Sequence, residues 1–404
     1  MESHKERAQL YLTDWLKIMQ SENPLTRITR YAGGAKENES MVVHHLKVLQ
    51  QSIIDQAPDV KHMLYTNCKD VDGWAGSFVF DTNEVPADSG HTYQKGVHSA
   101  VIGYMEEGYM ADVYVTNGLP PVMALYGLGL GYFNLPIPPV VSVMAKSPEG
   151  LWDYVTDFHA VSFLRYLGNI DTFWVCVLDS ANEEALMCDL LQKAGISNFD
   201  RVRRVRTFSF DKKKFPQDKQ DVVVWSGRDS SMKNPALGIQ VSALLPKVQK
   251  EVFFPRPSPG AGRKFNNIDK TIVHAGEPPD VYRSLTRSAK AILVTSHAEG
   301  FPVGFIELWC QGVIPVIWDR PWNSDLLPED YPFRFKTAGE AAEMVLEVLK
   351  NYDQYAPDLY KWCVERFAHP INFPEIIGEI WKDYTLKLGD RIRLVSKRGA
   401  RKSL

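Results

Sequence analysis

Short apolar segments alternate with amphipathic and polar segments along the chain. Segments such as Phe173–Leu178 and Ala291–Thr295 are apolar throughout, which is typical of parallel strands that are covered on both faces. Alternation of such strands with helices predicts an α/β fold built from parallel βαβ units. The other predicted strands are Arg27–Tyr31, His62–Thr66, Asp112–Thr116, Val140–Met144, Val202–Thr207, Val222–Trp225, Glu251–Pro255, Thr271–Ala275 and Ile314–Trp318.

Apolar residues at helical spacing predict helices between these strands. Gly195 comes directly after one of them, a position at which glycine commonly ends a helix. Residues 69–96 are rich in Gly, Asp, Ser and Asn, and we interpret them as a loop with room for a hairpin at Ser77–Asp81. The predicted helices are residues 1–20, Met41–Ile54, Val97–Gly108, Pro121–Leu130, Trp152–Leu167, Asn182–Ala194, Val281–Ala289, Gly339–Asn351, Tyr355–Arg366 and Phe373–Leu386.

The length of the chain predicts two domains of ordinary size. It has 404 residues, of which 45% are hydrophobic and 24% charged, a composition typical of globular proteins. The run Asp211–Lys219 is polar and interrupted by a proline, so we place a linker there. The predicted domains are residues 1–215 and 216–370.

Charge and cysteine content narrow the class of protein. The net charge of −3 gives no overall attraction to nucleic acid, although Arg201–Arg206 and the tail at residues 387–404 are basic. Such stretches are usually solvated faces, and they can also attract polyanions. The five cysteines form no C-x-x-C pair, which favours reduced thiols in a cytoplasmic protein, or in the host cytoplasm if the source is viral.

The sequence predicts no membrane partner. Residues 1–21 are polar and of mixed charge, unlike a signal peptide. Val113–Ala145 contains no charged residue, but prolines, asparagines and glycines interrupt it. A membrane-spanning helix needs ~20 mostly apolar residues in a row. We therefore interpret this segment as buried strands and a helix.

The stretch Ser296–Val316 carries the clearest functional signal. Glu299 and Glu307 are separated by seven residues and lie between a buried-type strand and the strand that begins at Ile314. Ligands of parallel sheets bind beyond the carboxyl ends of the strands, against the N-termini of helices. The loop Ala298–Gly304 is therefore predicted to meet a phosphate group. The alternative is an ordinary βαβ crossover with two solvated glutamates.

Two cations and two glycines occupy comparable positions after other strands. Arg228 and Lys233 follow the strand Val222–Trp225 and precede a predicted helix, where two positive charges suit a diphosphate leaving group. Gly33 and Gly34 lie between a strand and a helix of the first half, where glycine lets the backbone approach a ligand closely. Solvated surface cations and a turn with positive φ angles are the alternatives.

The two glutamates, with the glycine and proline around them, resemble the E-x7-E donor signature of retaining glycosyltransferases of the GT-B fold. That fold consists of two Rossmann-like, doubly wound α/β domains facing a cleft, and the helix at residues 371–386 would cross back to the first domain. The resemblance implies that Glu299 contacts hydroxyls of the donor sugar and that Glu307 binds the ribose of the nucleotide. The amides implied to hold the diphosphate are those of Gly300, Phe301, Val303 and Gly304.

The resemblance extends to the other two loops. GT-B enzymes of this type carry an arginine and a lysine about five residues apart after a glycine, and Gly227, Arg228 and Lys233 match that pattern. The corresponding glycine loop of the first domain faces the cleft near the donor phosphate, which assigns that place to Gly33 and Gly34. These residues are implied to bind the donor.

Three stretches together resemble the phage DNA α-glucosyltransferases, which modify hydroxymethylated pyrimidines. They are Thr156–Gly168, Trp225–Lys233 and Phe305–Trp318, and they cover a small part of the chain. The resemblance implies double-stranded DNA as the acceptor partner. A GT-B enzyme with a saccharide, lipid or protein acceptor is the first alternative, and a non-catalytic GT-B binding module is the second.

The acceptor base is placed by the same resemblance. In that family a His-Asp pair lies at the acceptor hydroxyl, whereas here the order is Asp157, Phe158, His159. His159 is therefore the first candidate and Asp157 the second, and His98 is a further candidate. The alternative is a helix histidine that packs under neighbouring aromatic rings.

The predicted reaction is transfer of a sugar, with retention, from a nucleotide-sugar donor, a UDP-sugar being favoured. It passes through an oxocarbenium-like state while negative charge builds up on the diphosphate. Arg228, Lys233 and the amides after Gly300 would stabilise that charge. No carboxylate of the first half suggests a covalent nucleophile, so we expect a front-face path. No cluster of histidines and carboxylates suggests an essential metal, and we expect a monomer or weak dimer.

Overall fold

The computed structural model describes residues 27–32, 48–49, 51–53, 55–56, 61–66, 77–79, 113–117, 139–144, 173–193, 195–196, 199–210 and 218–402. The chain divides into two compact units. The first consists of Met1–Asp179, Glu184–Thr207 and Ile371–Leu404, and the second of Ser180–Glu183 and Phe208–Pro370.

Parallel strands form the sheet of the first unit. They are β1 (Arg27–Ala32), β2 (Lys61–Thr66), β3 (Ser77–Val79), β4 (Val113–Asn117), β5 (Val140–Met144), β6 (Phe173–Leu178) and β7 (Val202–Val205). Their spatial order is β3-β2-β1-β4-β5-β6-β7, so the order reverses between β1 and β4 as in doubly wound folds. All residues of β6 are buried, as expected for a strand with both faces covered.

The sheet of the second unit is also parallel. Its strands are β8 (Gln220–Ser226), β9 (Gln249–Phe254), β10 (Thr271–Ala275), β11 (Ala289–Val294), β12 (Ile314–Trp318) and β13 (Arg334–Phe335). The spatial order is β10-β9-β8-β11-β12-β13, which reverses between β8 and β11. This is the strand order of a Rossmann domain, in which ligands bind where the order reverses.

Apart from α3 and the C-terminal end of α8, the α-helices described by the structure lie where the sequence predicted helices, with small shifts at their ends. They are α1 (Ala181–Lys193), α2 (Pro235–Ala243), α3 (Ala261–Asn266), α4 (Pro279–Ser288), α5 (Val303–Cys310), α6 (Ala338–Lys350), α7 (Tyr352–Phe367) and α8 (Phe373–Lys402). Gly195 follows α1 with φ +81°, a backbone conformation that glycine adopts without strain. Helix α8 continues beyond its predicted end, and its residues up to Tyr384 include a buried apolar side such as Ile377 and Trp381.

The structure confirms each predicted strand and the α/β class. The hairpin at Ser77–Asp81 is wrong, because β3 pairs in parallel with β2, with Leu64 opposite Ser77. The polar and glycine residues around β3 are typical of a tight turn, which is why the sequence suggested a hairpin. The direction of β3 is set instead by its pairing with β2. The predictions missed β13 and α3, which are too short to show periodicity. The predicted helices at residues 1–20, 97–108, 121–130 and 152–167 lie outside the described residues.

Lys250 lies on the core strand β9, at a buried position where an apolar residue would be expected. It is 1% exposed, and its Nζ donates to the carbonyl oxygens of Leu245 (2.7 Å) and Val248 (2.8 Å), shortly after the end of α2. Burial lowers the pKa of Lys250 to about 8. The amine therefore satisfies two carbonyls that would otherwise be buried without a donor.

We expect the buried Lys250 to make the free energy of unfolding depend on pH. The folded pKa of about 8 is below the unfolded value, so between about pH 8 and pH 10 the unfolded chain binds more protons. Stability of the wild type should therefore rise across this window relative to a Lys250→Met variant, by about 3 kcal/mol. Denaturant unfolding of both proteins at several pH values measures the difference in stability. Contributions from other groups that titrate in this window are the same in both proteins and cancel in the difference. A difference independent of pH would contradict the assignment.

Candidate functional site

The loops that follow β8 and β11 are joined at the point where the strand order reverses. The Thr295 hydroxyl accepts a hydrogen bond from Trp225 Nε1 (2.9 Å) and donates to the carbonyl oxygen of Lys233 (2.8 Å). The amide of His297 donates to the carbonyl oxygen of Met232 at 2.7 Å. These contacts hold the two loops in one fixed arrangement at the carboxyl edge of the sheet.

The loop after β8 is shaped by a glycine and an asparagine. A Cβ on Gly227 would lie 3.2 Å from Cβ and Cγ of Lys233 and 3.2 Å from the Trp225 ring, so glycine leaves room for the lysine stem. Asn234 has φ 47°, and its side chain accepts from the amide of Leu237 at 3.3 Å, which starts α2. The loop thus turns sharply and points Lys233 back towards the neighbouring strand.

Lys233 and Glu299 meet at this point. Nζ of Lys233 forms an ion pair with Oε1 of Glu299, and the two side chains are 17% and 10% exposed. The same Nζ lies 5.4 Å from the ring centre of Phe305. The structure therefore brings together one cation and one carboxylate that the sequence predicted as site residues, in surroundings largely shielded from water.

Arg228 lies on the same loop, five residues before Lys233. Its side chain is exposed, and its carbonyl oxygen accepts from the amide of Ser230 at 2.9 Å. Within the described part of the chain it has no carboxylate partner. Its positive charge is thus available to an anionic ligand at this edge.

The start of α5 offers backbone rather than side chains. Phe301 and Val303 are buried, and a Cβ on Gly304 would meet no atom within 4 Å. The amide of Val303 already donates to the carbonyl oxygen of Phe301 at 2.9 Å. The amides of Gly300, Phe301 and Gly304 are therefore better placed than that of Val303 to hold an anion at the N-terminus of the helix.

Glu307 lies one turn into α5 and faces a corner that the sequence did not reveal. The hydroxyl of Tyr282 on α4 donates to the Ser226 hydroxyl at 3.2 Å, at the end of β8. Burial, and then the negative charge of Glu307, raise the pKa of Tyr282. The two hydroxyls therefore form one corner of the ligand edge, and Glu307 is near enough for its charge to act on Tyr282.

An aromatic stack extends this corner across β9 and β10. The His274 ring stacks on Phe253 with centres 4.5 Å apart and 8° between the planes, and Tyr282 meets the same ring edge-on at 5.2 Å. His274 Nε2 lies 2.5 Å from Oε2 of Glu251. The sequence analysis did not name these residues as site candidates. Polar and aromatic side chains near the ends of otherwise apolar strands could have indicated them.

The remaining predicted site residues lie outside the described residues. These are Gly33 and Gly34 on the donor side, and His98, Asp157 and His159 on the acceptor side. In the ranges that are described, no group of three or more His, Cys, Asp or Glu side chains could hold a metal ion. Those ranges also contain no helix that is long and apolar enough to cross a membrane.

No protein-family model matches the chain, and no curated protein matches its sequence. Solved structures do match. HepE of Anabaena, in complex with UDP-glucose, superposes with a TM-score of 0.62 at 14% identity, over 87% of this chain and 98% of that one. Sucrose-phosphate synthase of Thermosynechococcus elongatus has a TM-score of 0.63 at 16% identity, over 92% and 100%.

WaaG, a glycosyltransferase involved in lipopolysaccharide biosynthesis, gives a similar result. Its TM-score is 0.63 at 13% identity, over 87% of this chain and 99% of that one. At such low identity the likeness concerns the fold rather than the substrate. Together with the two doubly wound sheets, it shows that this chain has the GT-B fold.

Proposed function

We propose that this protein is a retaining glycosyltransferase that moves a sugar from a UDP-sugar to the hydroxyl of a hydroxymethylated pyrimidine in double-stranded DNA. The observation that carries the proposal is the pairing of Lys233 with Glu299 where the strand order reverses, with Glu307 on the helix that follows. HepE, which has the same fold, binds UDP-glucose, and this supports a nucleotide sugar as the donor here.

The diphosphate of the donor binds to the cationic loop after β8 in this proposal. Arg228 is exposed and unpaired within the described residues, and Lys233 is held in place by its own backbone contacts. Together with the N-terminal amides of α5, they form preorganised donors for the charge that develops as the anomeric bond breaks. Because the Lys233 side chain is only 17% exposed, its charge acts more strongly than it would on an open surface.

The sugar and ribose of the donor are assigned to the two glutamates. Oε1 of Glu299 accepts from Lys233, which leaves Oε2 to accept from vicinal hydroxyls of the sugar. Glu307, beside the hydroxyls of Tyr282 and Ser226, takes the ribose hydroxyls. The nucleoside end of the donor then lies over β8–β10 and the sugar end over β11.

The acceptor hydroxyl attacks the anomeric carbon on the face from which the diphosphate leaves. The new glycosidic bond forms as the bond to the diphosphate oxygen breaks, which retains the configuration. The hydroxyl proton passes to a base, for which His159 is our first candidate and Asp157 the second.

One assay tests the reaction and the acceptor together. The protein is incubated with a panel of nucleotide sugars and with duplex DNA that contains cytosine or hydroxymethylcytosine, and the DNA nucleosides are analysed by mass. A mass gain of one hexose or pentose on the modified base alone is the expected result. Donor hydrolysis without any DNA product would support the donor site and contradict DNA as the acceptor, and it would favour a saccharide, lipid or protein acceptor. Absence of donor binding would contradict the proposed reaction and favour a non-catalytic GT-B binding module.

Tyr282→Phe is expected to weaken donor binding without slowing the chemical step. The variant keeps the aromatic stack and loses a hydroxyl beside the proposed ribose clamp, a change worth about 1 kcal/mol. The KM for the donor should rise roughly 2- to 10-fold with little change in kcat, because the ribose contact is the same in the ground state and the transition state. Initial rates at varied donor concentration measure both constants.

Tyr355→Phe is the matched control. Its hydroxyl donates to Glu347 at 2.9 Å in another part of the same unit, so its loss should leave the KM for the donor unchanged. A Tyr282→Phe variant with reduced kcat and an unchanged KM would place the tyrosine at the reacting atoms and contradict the ribose assignment.

A further inference from the structure

Three side chains beside the proposed donor site have no part in the donor contacts proposed above, and they contact one another. Trp318 ends β12, and the guanidinium carbon of Arg320 lies 4.7 Å from the centre of its ring. The ring of His297, which follows β11, meets Trp318 edge-on with centres 4.6 Å apart. We call these three residues the Trp318 platform.

The platform differs from an ordinary core cluster. Trp322, a few residues further on, is 1% exposed and donates its indole N–H to the carbonyl oxygen of Ser296, as a core tryptophan does. Trp318 is only half-buried and His297 is exposed, and both lie at the carboxyl edge of the sheet. A large aromatic surface at the edge where ligands bind is a candidate for contact with a ligand rather than with the core.

Arg320 gives the platform an uncompensated positive charge. Its Nε lies 3.5 Å from the carbonyl oxygen of His297, and in the described ranges no carboxylate lies within ion-pair distance of the guanidinium. Burial, and then the positive charge of Arg320, lower the pKa of His297. The guanidinium lies over the indole ring, and its planar array of N–H groups suits an oxyanion.

The order of the strands places the platform at the sugar end of the donor site. Glu299 comes two residues after His297, whereas the Tyr282 and Ser226 corner lies on the other side of β11, over β8–β10. A donor with its ribose at that corner has its sugar over β11, and β12 is the next strand in the same direction. The platform therefore lies next to the proposed position of the sugar, on the side away from the proposed ribose contacts.

We propose that the Trp318 platform is an acceptor subsite that binds a phosphodiester of nucleic acid next to the pyrimidine that receives the sugar. The assignment rests on the proposed transfer to DNA. A planar guanidinium with free N–H groups matches the oxygens of a phosphate, and such contacts set the position of a protein on a strand. A neutral saccharide would instead stack on a bare indole face, and here Arg320 covers one face of the ring.

The test compares Arg320→Gln with Arg287→Gln in the full-length protein. Arg287 is also exposed, but it lies in the last turn of α4, just before β11 begins, at the opposite edge of the sheet. The probes are UDP-glucose, or the nucleotide sugar that the panel selects, and a labelled duplex with hydroxymethylcytosine. Measured are the KM for DNA at several salt concentrations, the Kd for the duplex by anisotropy, and the Kd for the donor.

The Arg320→Gln variant should raise the KM for DNA about tenfold and lower the salt slope of log Kd by about one, with an unchanged Kd for the donor. Arg287→Gln should match the wild type. Arg320→Lys keeps the charge and should recover most of the salt slope, which separates lost charge from a folding defect. A wild type that glycosylates DNA together with an unaltered Arg320→Gln variant overturns the subsite alone. A wild type that neither binds nor glycosylates the duplex overturns the proposed acceptor, and the subsite falls with it.

Discussion

Replacement of Lys233 with methionine is expected to lower kcat by about 10²- to 10³-fold with any nucleotide sugar that the protein uses. The Lys233 side chain is only 17% exposed, and it comes from a loop whose backbone is hydrogen-bonded to Thr295. In the proposed site it would therefore stabilise charge on the leaving diphosphate without first reorganising. Methionine has nearly the same length and can keep the packing on Phe305, so the change removes mainly the charge.

Stability must be separated from catalysis in this variant. The Glu299 side chain is 10% exposed, and removal of its partner leaves a carboxylate that is shielded from water and unpaired. Breaking a buried pair in this way can cost about 3–5 kcal/mol. The double variant Lys233→Met/Glu299→Gln removes both charges and should regain most of the stability while remaining inactive. A double variant with the kcat of the wild type would contradict the role of both residues.

The meeting of Lys233 and Glu299 could be predicted because it depends on chain order alone. Each residue follows an apolar strand, and parallel strands bring their carboxyl ends to one edge of a sheet. That β8 and β11 are neighbours follows from the doubly wound arrangement, which the alternation of strands and helices already indicated. The apolar strands themselves were predictable because both of their faces are buried.

The corner around Tyr282 could not be predicted in the same way. Its residues come from β8, β9, β10 and α4, and they meet only because Phe253 lies opposite both Ser226 and His274 in the sheet. A shift of pairing by one residue would place these side chains on the other face, and the sequence does not fix that register. Lys250 was missed for another reason, since a fully buried lysine depends on two carbonyls that only the folded chain supplies.

Arg228→Ala is expected to lower kcat/KM for the donor by about 10²-fold or more while leaving the protein as stable as the wild type. The side chain is exposed and has no partner within the described residues. Its truncation therefore creates no cavity and leaves no opposite charge without a partner. Its contribution therefore appears only when the diphosphate is bound. This separates it from Lys233, whose loss acts on stability and turnover together.

Arg287→Ala controls for the loss of one exposed positive charge. Arg287 lies at the amino edge of the same sheet, so its removal should change neither kcat/KM nor the Kd for the donor. If Arg228 acts mainly as the diphosphate gains charge, kcat should fall more than the KM rises, whereas a contact made equally in the ground state would raise the KM alone. An Arg228→Ala variant with the kinetics of the Arg287→Ala control would mean that the cationic loop does not reach the leaving group, and the donor assignment would then depend on Lys233 and the two glutamates without it.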